Sequence, residues 1–191
     1  IEFWHKGAAG GPVISKLFSA GDASQYSTQF YVGINDAGNP VYKVSDGKGA
    51  YANCVFNTVS VTNGEWNHVA VVKNGTTLSC YVNSALVGTA ENVPETIVLP
   101  SRLTVGCSIP VKSVTNVTYY GGTLAELRLW NTQRTAKDFF NDSVGAPADT
   151  TGLLAGYALA EDYKDTYKGA NDIVNYDYKI TADNEKYAAY D

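Results

Sequence analysis

The stretch Glu65-Trp66-Asn67-His68-Val69-Ala70-Val71-Val72-Lys73-Asn74-Gly75-Thr76-Thr77-Leu78-Ser79-Cys80-Tyr81-Val82-Asn83 decides how the rest of the chain is read. It holds a nearly continuous apolar run, an Asn-Gly pair, and then a run alternating apolar with polar. Asn-Gly between such runs is the strongest short-range hairpin signal, because both residues tolerate the positive φ that a tight turn between twisted strands demands. Apolar side chains on both sides of 69–72 predict a central strand covered on both faces. Leu78, Cys80 and Val82, alternating with Ser79, Tyr81 and Asn83, predict a partner strand with one face toward solvent or ligand.

Outward from this hairpin the same rhythm continues. Strand-type runs fall at 1–6, 13–19, 29–34, 40–45, 54–58, 68–73, 77–82, 85–90, 102–107 and 122–130. Asn35-Asp36-Ala37-Gly38-Asn39, Asp46-Gly47-Lys48-Gly49 and Asn63-Gly64 separate them with turn chemistry. Turns at roughly eight- to twelve-residue spacing predict a sandwich or jelly roll. After Trp130 the pattern changes: Thr132 is placed to cap one or two helical turns over 133–140, which Gly145 and Pro147 end. A strand at 152–159, an acidic loop at 161–172 and two last strands over 173–191 complete the reading. The expected fold is all-β, a two-sheet antiparallel jelly-roll sandwich with one short helix, forming a single domain over 1–191.

Composition narrows the function classes. Charged residues make up 17% of the 191 positions, against 14 Tyr and 18 Gly, which favours strands and tight turns over solvated helices. The net charge of −5 comes without a basic run, so nothing draws a phosphate backbone or an anionic membrane. No apolar stretch approaches the roughly 18 residues of a membrane span. The start, Ile1-Glu2-Phe3-Trp4, lacks a signal-peptide layout and reads as that of a mature or excised piece. Cys54, Cys80 and Cys107 allow at most one disulfide and lack zinc or redox spacing; they are read as buried thiols serving as small apolar side chains.

Four blocks resemble the concanavalin A-like lectin/glucanase superfamily, in its bacterial laminin G-like branch. They are Ile1-Glu2-Phe3-Trp4-His5-Lys6; Gly64-Glu65-Trp66-Asn67-His68-Val69-Ala70-Val71-Val72 continuing to Tyr81-Val82-Asn83; Gly122-Thr123-Leu124-Ala125-Glu126-Leu127-Arg128-Leu129-Trp130-Asn131 with Arg134-Thr135-Ala136; and Gly152-Leu153-Leu154-Ala155-Gly156-Tyr157-Ala158-Leu159 with Asp165 beyond it. The family usually places another strand before its Phe-Trp strand. Here the segment 180–191 resembles that opening strand, which implies either a strand completing this sandwich or the start of a next repeat. The resemblance places Trp4, Trp66 and Trp130 at core positions and His5 and His68 in packing strands.

The superfamily includes glycoside hydrolases, whose chemistry needs two carboxylates flanking the scissile bond. Strand residues i, i+2 and i+4 share a face, so a Glu-x-Asp-x-Glu spacing would line a groove with acids. No such run occurs: Glu91 and Glu95 flank Pro94 in a loop, and Glu126 beside Arg128 reads as a structural ion pair. Neither His5 nor His68 is placed to serve a Ser or Cys nucleophile. The chain is therefore read as a non-catalytic module, secreted or at the cell surface, that binds a glycan or cell-surface ligand. A structural or protein-interaction repeat beside adjacent domains of a larger protein is the alternative, and a glycoside hydrolase the third reading.

Binding residues concentrate in loops and strand ends of a rigid sandwich. Sugar recognition joins an aromatic face, which covers the C–H side of a pyranose, with amide or carboxylate groups that bond hydroxyls. Tyr119 and Tyr120, with Asn116 nearby, form one candidate; Tyr51 and Asn53 form another. Asp162, Asp165, Asn171 and Asp172 gather hard oxygen donors that suit Ca²⁺, which family members often hold on the sandwich rim. Asn74-Gly75-Thr76, Asn116-Val117-Thr118 and Asn141-Asp142-Ser143 match the glycosylation acceptor pattern, which matters only in a eukaryotic secretory host.

Overall fold

The computed structural model describes residues 1–17, 28–46, 48–95, 103–108, 117–160 and 162–173. Among them are β1 (Glu2–Lys6), β2 (Gly11–Leu17), β3 (Thr28–Ile34), β4 (Pro40–Asp46), β5 (Tyr51–Val55), β6 (Trp66–Asn74), β7 (Thr77–Val82), β8 (Ala85–Ala90), β9 (Thr104–Val105), β10 (Cys107–Ser108), β11 (Thr118–Tyr119), β12 (Thr123–Trp130), α1 (Ala136–Asp142) and β13 (Leu153–Tyr157). They form a six-stranded sheet in the order β13-β12-β1-β6-β7-β8, a five-stranded sheet in the order β5-β4-β3-β2-β9, and a ribbon of β10 and β11. Every pairing is antiparallel.

The core lies between the two large sheets. Phe3, Val69, Val71, Leu78, Cys80 and Leu127 face Ile14, Phe30, Val32, Ile34, Tyr42 and Val44 across it. The hairpin forms as its pattern requires: Asn74 pairs with Thr77 across the turn, and Gly75 takes φ 56°. β6 lies inside the six-stranded sheet and buries residues on both faces, whereas β7 alternates buried Leu78, Cys80 and Val82 with half-buried Ser79 and Tyr81. The outer face of β6 is covered by α1, whose Phe139 packs against Ala70, Val72 and Tyr81.

Three expectations shift. Thr135, not Thr132, caps the helix: its hydroxyl accepts from the Asp138 amide while the Asp138 carboxylate accepts from the Thr135 amide, a reciprocal box that begins the helix three residues later. β5 starts at Tyr51 because it pairs along β4, and Phe56 then turns into the core. Trp66 is 42% exposed, a correction to its placement in the core: it shares the outer face with His68 and lies at the strand's end. The strands expected over 173–191, and the end of that expected at 13–19, fall outside the described residues.

Candidate functional site

Four charged residues of the resembling blocks, Glu2, Glu126, Arg128 and Arg134, converge on the outer face of the six-stranded sheet, beneath α1 and the chain around it. Glu2, 1% exposed, accepts from Trp130 Nε1 at 2.8 Å and pairs with His68 Nε2 at 3.1 Å. Arg128, wholly buried, bonds Glu126 at 2.9 Å, the Gly145 carbonyl at 2.6 Å and the Asp142 carbonyl. Glu126 also accepts from the Tyr167 hydroxyl at 2.7 Å and the Gly145 amide at 3.2 Å. Arg134 reaches Asp142 at 3.1 Å and lies over the Trp130 ring at 4.2 Å. The expected Glu126–Arg128 ion pair is thus one strut of a network that fastens helix and following loop to the sheet. His68 is a buried strand histidine, as read, packed on Trp4 and Phe139.

Glu126 performs this with φ at 52°, where the register of β12 against β1 slips so that Leu124 and Leu127 both face the core. Such a bulge re-aims a side chain. Its carboxylate points at Arg128 rather than into any groove.

Tyr119 and Tyr120 do not present one aromatic surface. Tyr119 is 57% exposed, whereas Tyr120 packs against the core and its hydroxyl is bound to Nδ1 of buried His5. Asn116 lies outside the described residues. The three cysteines are free thiols. Burial pushes Cys80 up to about 12 and raises Cys54 and Cys107, so none is a thiolate at neutral pH.

Tyr51 and Asn53 do come together. Both project from the solvent side of edge strand β5, with Ala52 and Cys54 turned to the core between and beyond them. They border an open groove of about 530 Å³ between the β5 edge and the end of β8, whose far wall is Thr89, Ala90, Glu91 and Asn92. Sequence reading missed Glu91 and Asn92 as partners, because only the sandwich brings them across from Tyr51.

The outer face of the five-stranded sheet continues from this rim and is largely shielded, with Ser15 and Ser45 wholly buried, Val41 nearly so, and Tyr31 and Lys43 half-buried. Register sets Tyr31, Lys43 and Asn53 directly opposite one another on β3, β4 and β5. Ser15 and Thr104 extend the row, Ser15 Oγ lying 3.0 Å from Thr104 Oγ1. Gly106, at φ 74°, turns the chain so that the Cys107 carbonyl accepts from both hydroxyls, which closes that end of the face. Tyr31 and Lys43 carried no signal beyond strand alternation.

In the acidic loop, Asp165 is 3% exposed and accepts backbone bonds from Gly156, Lys168, Ala170 and Asn171 at 2.9–3.3 Å. Asp172 accepts from the Asp165 amide and Asp162 from that of Lys164. Asn171 lends its carbonyl to the Tyr157 hydroxyl. The loop is organised around Asp165, and among the described residues no three His, Cys, Asp or Glu side chains are grouped to hold a metal ion.

A family model described as the concanavalin A-like lectin/glucanases superfamily matches residues 1–138. No curated protein matches the sequence. Among solved structures, a protein from Bacteroides ovatus described as carbohydrate binding superposes with a TM-score of 0.55 at 17% identity, covering 82% of this chain and 44% of its own. Domains LG4-5 of the mouse laminin α1 chain superpose at 0.50 with 11% identity, covering 65% of this chain and 33% of their own. The chain thus spans less than half the length of either, and the likeness is one of fold.

Proposed function

The chain belongs to the concanavalin A-like lectin/glucanases superfamily, in its laminin G-like branch, and from that premise we propose that it is a non-catalytic carbohydrate-binding module of a secreted or cell-surface protein. The observation that carries the reading is the placement of Tyr51 and Asn53 side by side on an edge strand at the mouth of a groove, with Glu91 and Asn92 opposite. A pyranose laid on the Tyr51 ring would have its C–H face covered, and the Asn53 and Asn92 amides would serve its hydroxyls, while Glu91, whose carboxylate accepts from the Thr77 hydroxyl at 2.7 Å, borders the same groove. Mounting the pair on a strand fixes its geometry before the sugar arrives, which limits the ordering cost of binding. The carbohydrate-binding and laminin neighbours support the reading through fold. The extracellular setting and any role in adhesion rest on the same kinship.

Calcium is not required by this arrangement. An ion in the 162–172 loop would have to draw on Asp162, Asn171 and Asp172 while Asp165 gave up backbone bonds. A glycan array run with Ca²⁺ and with EDTA tests both points: the expected result is a signal that survives EDTA and falls about tenfold on Tyr51→Ala, the loss of one good aromatic contact. Silence across plant, microbial and host glycans would remove the lectin reading. The second reading, a protein-interaction unit, draws on β5 and β8 each being, among the described residues, the last strand of its sheet. It predicts a protein partner whose binding is indifferent to Tyr51→Ala.

A further inference from the structure

We propose that the groove beside Tyr51 takes the end of a glycan chain rather than an internal stretch of one, because it is closed at one end and open at the other; the inference rests on the binding reading above. One wall of the groove is β5 continued to Phe56, and the other is Thr89 to Asn92 at the end of β8. At about 3.4 Å per residue the first wall is roughly 17 Å long, room for a few sugar units.

The closed end lies where the two sheets are drawn together. Phe56 turns from the end of β5 into the core and lies against Gly88, so closely that a Cβ at 88 would stand 2.9 Å from Phe56 Cδ1. Two residues on, the Thr58 hydroxyl donates to the Val87 carbonyl at 2.8 Å and ties the chain after β5 to β8. The lining of the groove stops at this point, with Phe56 on one wall and Thr89 on the other. A glycan laid along the groove cannot run on past the tie.

The other end is open among the described residues. At Asn92, φ 59°, the chain leaves its wall, and the next residue, Val93, is buried with its amide on the Thr76 carbonyl at 2.9 Å. On the other wall, Lys48, Gly49 and Ala50 before Tyr51 are exposed, and a Cβ at Gly49 would meet no described atom within 4 Å. A terminal sugar therefore enters between Asn53 and Thr89, over the apolar Cys54, Phe56 and Ala90, and the next unit lies on Tyr51 and leads out to solvent. An internal sugar is linked on both sides, and its second linkage would have to pass through the contact of Phe56 with Gly88. The discrimination is steric: a clash built against the wrong ligand, independent of charge.

The glycan array tests the proposal together with binding to mixed-linkage β-glucan, xylan, galactan and mannan, each offered at equal mass, intact and after limited acid hydrolysis. On the array, signal should follow the outermost residue of the printed glycans, whatever precedes it. Against the polysaccharides, the protein bound per mass should rise in proportion to the chain ends that hydrolysis creates, with each end holding a single copy in calorimetry. Signal that follows an inner residue beneath different outermost ones overturns the proposal while the binding reading stands. So does a capacity that hydrolysis leaves unchanged, with many copies along one chain. Binding that rises with hydrolysis beside a silent array supports the proposal and assigns the reducing end, through which array glycans are printed. Silence of both the array and the polysaccharides overturns the binding reading as well.

Discussion

Glu2 shows how much one side chain can be asked to do. Burial by itself raises its carboxyl, but the hydrogen bond and charge of His68 and the charges of Arg128 and Arg134 outweigh that, and the group is held below its ordinary value of 4.5. A carboxyl held lower in the folded than in the unfolded chain stabilises the fold above its unfolded value and ceases to do so as pH falls through its folded one. Acid titration of the unfolding free energy should therefore show a loss setting in below about pH 4.5, and Glu2→Gln should flatten it. At neutral pH, Glu2→Ala strips Trp130 and His68 of their acceptor and leaves Arg128 buried with less compensation. A loss of about 3–5 kcal/mol is expected, read from denaturant midpoints. None of this was legible from sequence: Glu2 lies 66 residues from His68 and 128 from Trp130, and no local pattern records a contact made only when β1 enters the sheet between β6 and β12.

At the scale of elements, local chemistry was readable wherever the local signal was unopposed. The Asn74-Gly75 hairpin and the two-faced burial of β6 follow directly from sequence. The helix start was misplaced because two threonines compete for it: Thr132 packs against Gly152, while Thr135 has Asp138 three residues on and closes the box. Thr135→Ala should cost about 1 kcal/mol. Phe139→Ala should cost about 3–5, since it empties the contact between helix and sheet. Thermal denaturation of the two variants orders them, and equal small losses would mean that α1 contributes little to the sheet's outer face. The β7–β8 turn offers the opposite sign. Asn83 and Ser84 take φ of 49° and 67°, and Ser84 pays for a left-handed backbone that glycine adopts freely. Ser84→Gly should raise stability by about 0.5–1 kcal/mol, with no change in sugar binding.

At the scale of the whole molecule the two sheets divide the labour. The six-stranded sheet spends its outer face on α1 and the Glu2–Arg128 network, whereas the five-stranded sheet keeps exposed polar and aromatic groups at its β5 side. The sequence marked Tyr51 and Asn53 through residue type alone, and it marked Tyr119 and Tyr120 equally; only packing, which ties the Tyr120 hydroxyl to His5, separates the two candidates. The division predicts that stability and binding can be broken independently. Arg128→Met removes a wholly buried cation from its carboxylate and carbonyl partners and should destabilise the chain by about 3–5 kcal/mol. At temperatures where this variant remains folded, its glycan affinity should be unchanged. Asn53→Ala, at an exposed position of β5, should leave the unfolding free energy within about 0.5 kcal/mol and yet weaken glycan binding severalfold. Paired calorimetry and array titration of the two variants would expose any coupling between the faces: a loss of affinity in Arg128→Met that matched its loss of stability would mean that the binding face depends on the network across the core.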